Sequence, residues 1–214
     1  MSGKTTIILA DDHAVVRAGF RMLLATCDSI EVIAEASKGE QAIQQYQELQ
    51  PDILIMDLAM PGIGGLETIR RIRQRHVEAL ILVLSVYHEQ VYVNRALSAG
   101  AKGYITKNSA PEMLFEAIHA IMQGKCFVEK GLQSINSSLI GPSDYQRVVA
   151  EFSEREFDVF RMLAAGMTVH NIADQLCLGY KTVANYATQI KKKLKVNNIL
   201  ELVNIAEELG VTQH

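Results

Sequence analysis

Between Thr5 and Gly124, short apolar runs and helical repeats alternate five times, and few folds accept that pattern. The runs cover residues 5–10, 31–36, 53–56, 79–84 and 102–106. They are continuous rather than alternating in polarity, as strands covered on both faces are. Between them, apolar residues recur at helical spacing: Val16, Phe20, Leu23 and Cys27, then Leu66, Ile69 and Ile72, then Leu114, Ile118 and Ile121. Gly100 and Gly124 follow two of these stretches, where helices tend to stop.

Five such β-α units predict an α/β domain, a parallel sheet with helices on both faces. Right-handed crossovers make 2-1-3-4-5 the economical strand order, which is the flavodoxin-like arrangement, with its switch point between strands 1 and 3. Those two strands end in Asp11-Asp12 and in Asp57. Ligands in open α/β sheets bind at such carboxyl ends. Taken alone, a strand that ends in Asp, as at Asp57, is most often only a turn or helix cap, and the loop after it carries Pro61, Gly62, Gly64 and Gly65.

Its expected neighbours change that reading. Three carboxylates at one sheet edge repel, so they hold protons or need a cation. All-oxygen ligands with room for water suit Mg2+. Ser85 ends the fourth strand and offers a hydroxyl, and Lys107 ends the fifth and offers a point charge. A carboxylate nucleophile, a metal, a hydroxyl and a cation are the parts phosphoryl transfer requires.

Residues 5–122 resemble the receiver domain of two-component response regulators. Asp11-Asp12-His13, Asp57-Leu-Ala-Met-Pro-Gly, Ser85, Tyr104 and Lys107 carry the resemblance. It implies that Asp57 accepts a phosphoryl group from a sensor histidine kinase. It also implies Mg2+ held by Asp12, Asp57 and the Ala59 carbonyl, with Asp11 assisting through water. Ser85 and Tyr104 would form a switch pair, biasing the face built from the fourth helix, fifth strand and fifth helix.

Residues 125–146 fade into Ser, Asn, Gly and Pro and read as a linker, with residues 1–124 and 147–214 as domains on either side. No strand pattern returns after it. Ser153-Glu-Arg-Glu156 has the form of a capping box. A short helix over 169–176, a turn at 177–179 and a longer helix over 181–194 follow, the order of a helix-turn-helix. On the longer helix Val183, Ala187, Ile190 and Leu194 share one face. Lys181, Ala184, Asn185, Thr188 and Lys192 share the other. Residues 181–195 hold five lysines and no acid, whereas the whole chain carries a net charge of −3. Positive charge so concentrated suits contact with phosphates.

Residues 152–210 resemble the LuxR-type helix-turn-helix of NarL/FixJ response regulators, through Phe152-Ser-Glu-Arg-Glu156, Leu163-Ala-Ala-Gly166, Asn171-Ile-Ala173, Lys181-Thr-Val183 and Lys193-Leu-Lys-Val196. The resemblance implies an all-α four-helix domain that binds double-stranded DNA through Lys181, Thr182, Ala184, Asn185, Thr188 and Lys192. Ala184 stands where the family often has Lys, and Tyr186 where it often has His, so the site sequence cannot be borrowed from relatives. Asn185 becomes the candidate for base readout, because an amide pairs bidentately with adenine. The last helix often forms the dimer contact in this family, and here Leu202, Val203, Ala206 and Leu209 either supply that face or pack on their own domain.

The expectation is a cytoplasmic transcription regulator that forms a homodimer when phosphorylated, with RNA polymerase as a further partner. No apolar run approaches the ~18–20 residues of a membrane span, and the start does not read as a signal peptide. The cysteines (Cys27, Cys126, Cys177) are odd in number and far apart, which fits a reducing cytosol. Two rival readings use the same residues. One is an Mg2+-dependent phosphohydrolase with an aspartyl-phosphate intermediate, although such enzymes carry Asp-x-Asp on the first strand. The other is a receiver acting only through protein contacts.

Overall fold

The computed structural model describes residues 3–132 and 144–211. The chain divides into two compact units, the first built on a sheet and the second helical.

In the first unit the order is β1 (Thr5–Ala10), α1 (Ala14–Leu24), β2 (Ile30–Ala36), α2 (Gly39–Leu49), β3 (Ile53–Met56), α3 (Gly65–Arg75), β4 (Ile81–Ser85), α4 (Gln90–Ala99), β5 (Gly103–Thr106), α5 (Pro111–Met122) and β6 (Phe127–Val128). All strands are parallel, in the order β2-β1-β3-β4-β5-β6. Side chains alternate across the sheet as the pleat requires. Ile7, Leu9, Ile53, Ile55, Leu82, Leu84 and Ile105 join Leu114, Ala117, Ile118 and Ile121 of α5 in one core. Each such buried Leu or Ile contributes roughly 1.5–3 kcal/mol of transfer free energy.

Among the described residues the sheet has six strands, one more than the sequence pattern predicts. After α5 the chain turns at Gly124 (φ 76°) and runs back beside β5. There Phe127 N donates to Lys102 O at 3.0 Å and Glu129 N to Tyr104 O at 3.0 Å. A strand of two residues has no periodicity to detect, so this one lies within the stretch read as a linker.

The second unit comprises α6 (Asp144–Ala150), α7 (Glu154–Ala164), α8 (Val169–Leu176), α9 (Tyr180–Leu194) and α10 (Ile199–Glu208). It therefore has one helix more than the four expected, α6 beginning inside the residues read as a linker. The capping box forms at the start of α7: Ser153 Oγ accepts from Glu156 N, and Ser153 N donates to Glu156 Oε2 at 2.9 Å. Val183, Ala187, Ile190 and Leu194 are buried, as the helical stripe required, and α9 packs on α7 and α8.

Of the two readings of α10, packing on its own domain is the one seen for Leu202 and Ala206. Leu202 and Ala206 are fully buried, and Val203 and Leu209 are half-buried. The stripe through 202, 205 and 206 is committed to α7, so it cannot also face a partner. The apolar side chains left outside on α10 are Ile199 (44% exposed) and Leu200 (66%).

Candidate functional site

The site begins where β1 and β3 end side by side. Ala10 is in register with Met56, and Asp57 N donates to Ala10 O at 2.8 Å, so the ladder runs one step past the strands. That step brings Asp11 and Asp57 together. Ligand atoms of Asp11, Asp12, His13 and Asp57 all lie within 4.8 Å of one another. Gly65 lets α3 begin against this loop, because its N–H donates to Leu58 O at 3.2 Å and a Cβ there would collide with the Asp57 carbonyl.

Lys107 crosses from β5 to both acids. Its Nζ lies 2.6 Å from Asp11 Oδ2 and 2.9 Å from Asp57 Oδ2. Lys107 N donates to Ser85 O at 2.8 Å, which fixes the β5 end against β4. Asp57 is 1% exposed. Burial pushes its carboxyl pKa up, Lys107 opposes that, Asp11 adds to it, and the Ala59 N–H lowers it; the net direction is upward. Burial pulls Lys107 the other way, yet the neighbouring Asp57 and Asp11 carboxylates outweigh it and leave its pKa raised. Both directions describe one strained cluster, with three carboxylates against one ammonium.

The donor set fits a hard divalent cation. Neither Asp57 oxygen nor Asp12 Oδ1 accepts an aligned hydrogen bond, although Lys107 and His13 stand at ion-pair distance from them. Buried acceptors so left are costly unless something else binds them.

Around this centre, two residues that sequence reading left without a role hold Asp11 in place. His13 N donates to Asp11 Oδ1 at 2.8 Å, and Arg17 donates to the Asp11 carbonyl at 2.7 Å. Arg17 also reaches Glu35 at 3.2 Å, so α1 and β2 are pinned across the loop. Arg17 lies one helical turn past His13, a spacing that could have marked it.

Ser85 and Tyr104 are both fully buried, and both are bound to the same residue. Tyr87 N donates to Ser85 Oγ at 3.2 Å, and Tyr104 Oη donates to Tyr87 O at 2.8 Å. Tyr87 therefore links the pair, which strand-end reasoning did not reveal.

On α9, Lys181, Thr182, Asn185, Thr188 and Lys192 are exposed and Ala184 is half-buried. Thr188 Oγ1 donates to Ala184 O at 2.9 Å, so toward an outside partner that hydroxyl offers only its lone pairs. Lys193 is exposed along its side chain, but its Nζ lies 2.6 Å from Glu156 Oε1 and 5.5 Å from the Phe152 ring centroid. The lysines of this helix are thus divided between an outer face and a structural ion pair.

A carboxylate-lysine cluster at a sheet switch point and a lysine-bearing helix on a separate helical unit agree with two family models. Residues 7–119 match the response regulator receiver domain, and residues 150–209 match the bacterial regulatory proteins of the luxR family. The chain belongs to the response regulators. It is 40% identical over 207 residues to the transcriptional activator protein ExaE of Pseudomonas putida, covering 96% of this chain and 97% of that one. It is 35% identical to the response regulator UvrY of Escherichia coli K12, covering 96% and 94%. Among solved structures it resembles RcsB of Salmonella enterica serovar Typhimurium bound to promoter rprA with the phosphomimetic BeF3-. That match has 27% identity, covers 96% of this chain and 99% of that one, and has a TM-score of 0.65.

As a response regulator of the NarL/FixJ type, the protein is a DNA-binding transcription regulator of a two-component system and not a conventional enzyme. No helix among the described residues is long and apolar enough to cross a membrane.

Proposed function

We propose that Asp57 is the phosphoacceptor and that its phosphorylation by a sensor histidine kinase controls how the luxR-type domain engages DNA. The single observation carrying this reading is the Asp57 carboxylate, buried, without aligned hydrogen bonds and faced by Lys107 at 2.9 Å. An Asp57 oxygen attacks phosphorus while the bond to the donor's phosphohistidine nitrogen breaks, and that nitrogen takes a proton. Lys107 follows the new negative charge and stabilises the phosphoryl oxygens. Ser85 supplies a hydroxyl to the same group once it releases Tyr87 N. As Ser85 turns toward the phosphate, Tyr104 takes up the space it vacates, and phosphorylation biases that two-state choice. Asp12, Asp57 and the Ala59 carbonyl would hold Mg2+, with Asp11 assisting through water. Bound there, Mg2+ neutralises charge on the attacking and transferred oxygens. Hydrolysis of the acyl phosphate by the receiver itself would return the free carboxylate.

In the same reading α9 lies in a major groove of double-stranded DNA. Asn185 reads a base edge, Thr182, Ala184 and Thr188 line the approach, and Lys181 and Lys192 contact phosphates. The phosphorylated protein binds two half-sites as a homodimer in the cytoplasm and contacts RNA polymerase. The structure of RcsB bound to promoter rprA in the presence of the phosphomimetic BeF3- supports the link between phosphorylation and DNA binding.

Incubation with acetyl phosphate and Mg2+, read on a phosphate-affinity gel, tests the acceptor. Wild type is expected to shift and Asp57→Asn to stay unmodified. Equal labelling of the two would sink the proposal.

A further inference from the structure

The turn carrying Lys107 is held from two sides, and only one of them belongs to the site described above. From β4, Ser85 O takes the Lys107 N–H. From the far side comes Glu129, the residue after β6. Its Oε2 accepts from Thr106 N at 2.8 Å and from Ser109 Oγ at 2.7 Å, while Ser109 Oγ also lies 2.9 Å from Thr106 Oγ1. Glu129 N donates to Tyr104 O, which is the last backbone bond between β6 and β5. Beyond it the backbones part, and the Thr106 N–H would have no strand partner. The Glu129 carboxylate fills that place and continues the ladder with a side chain.

This bracing falls on the two residues flanking Lys107 on either side of its turn. Charge-assisted bonds to a carboxylate are about twice as strong as neutral ones. Two of them, one to a backbone amide, restrict the Thr106–Ser109 turn and hence the stem from which the Lys107 ammonium reaches Asp57 and Asp11.

From this geometry we infer that Glu129 is a positioning residue for Lys107, tying the chain segment that leaves the sheet to the phosphoryl-transfer site. The inference rests on the proposed role of Lys107. Glu129 touches neither acid and takes no part in the transfer. Its effect is to keep the Lys107 ammonium where the new charge appears. Linkage runs both ways, so a change in Lys107 on phosphorylation loads the Glu129 contacts equally.

The test uses the whole chain with acetyl phosphate and varied Mg2+. Glu129→Ala is expected to lower the maximal phosphorylation rate roughly fivefold, the factor equivalent to about one net hydrogen bond. The Mg2+ concentration at half-maximal rate should stay unchanged or fall, because Asp11, Asp12 and Asp57 are untouched. Glu129→Gln should restore most of the rate, since its carboxamide oxygen accepts the same two bonds. Independently of activity, the Thr106 amide hydrogen should exchange faster in Glu129→Ala, with or without Mg2+. Ser109→Ala removes one contact, leaves Glu129 in place, and should show a smaller loss in the same direction. If Glu129→Ala fails to fold, that variant carries the test. Wild-type rates in the variants overturn the inference, as does a loss accompanied by a raised Mg2+ requirement, which indicates general loosening. Absence of wild-type phosphorylation overturns the Asp57 reading instead, so the two failures are distinct.

Discussion

At Asp57, burial and the Asp11 charge disfavour the carboxylate while Lys107 favours it, and the balance leaves the pKa raised. A raised folded-state pKa means that the protonated form fits the fold better. The stability it contributes is present below the ordinary carboxylate range and is lost as pH rises through the higher folded value. Without divalent cation, Asp57→Asn should therefore raise thermal stability at neutral pH, because it removes a buried charge. Melting curves should show that gain shrink once acid protonates the wild-type carboxyl. Lys107 is not orphaned by this change, because Asp11 remains 2.6 Å away. On the DNA side, Asn185→Ala should alter sequence preference, whereas Lys192→Ala should weaken all sites about equally. Binding measured across a site library separates them, and a uniform loss from both variants would refute that division. Asp57, Ser85 and Lys107 were legible in the sequence because each ends an apolar run. Glu129 was not: it is more than twenty residues from Thr106 along the chain and ends no recognisable element.

At the scale of elements, the start of α3 is the tightest constraint. Gly65→Ala would drive a methyl into the Asp57 carbonyl and the Leu58 Cα. Backbone on both sides must move, so a loss of about 3 kcal/mol is expected, the range of overpacked sites. Loss of acetyl-phosphate labelling alongside the lowered melting point would check it. The start of α7 adds a pH-dependent term. Burial pushes the Glu156 carboxyl up, but Lys193 and the Ser153 N–H and hydroxyl outweigh that, and its pKa is lowered. The stability so gained is present above the ordinary glutamate range and is lost as pH falls through the lower folded value. Glu156→Gln should cost about 1–2 kcal/mol at neutral pH. The gap to wild type should begin to narrow at about pH 4.3 and close only below the lowered folded value. Equal gaps at both pH values, read by thermal melts, would remove the ion pair from the account. The capping box was visible in the sequence because Ser153 and Glu156 stand at its fixed spacing, and the five main strands because each is a continuous apolar run. The sixth strand was hidden, since Phe127 and Val128 pair through backbone atoms that any residues would supply. The role of the apolar face on α10 stayed open in the sequence for another reason. A helical stripe marks which residues are buried, not whether the same unit or another copy buries them.

At the scale of the whole molecule, the overall charge of −3 says little about DNA, because residues 181–195 hold five lysines and no acid. Affinity should fall steeply with added salt. Removing Lys181 and Lys192 together should lower the magnitude of the log–log slope by about two, at roughly 0.9 per phosphate contact. A slope unchanged by both substitutions would take α9 out of the groove. The short β6 strand has a consequence of another kind. Parallel sheets with bare margins are open to strand addition, and β6 covers Gly103 and Tyr104, while Glu129 covers the Thr106 amide beyond them. A receiver cut after Gly124 loses this covering and presents the β5 margin to solvent. It should self-associate more readily than one ending at Leu132, a difference that light scattering would register. The final turn of chain after α5 therefore also acts as a guard against sheet-to-sheet aggregation.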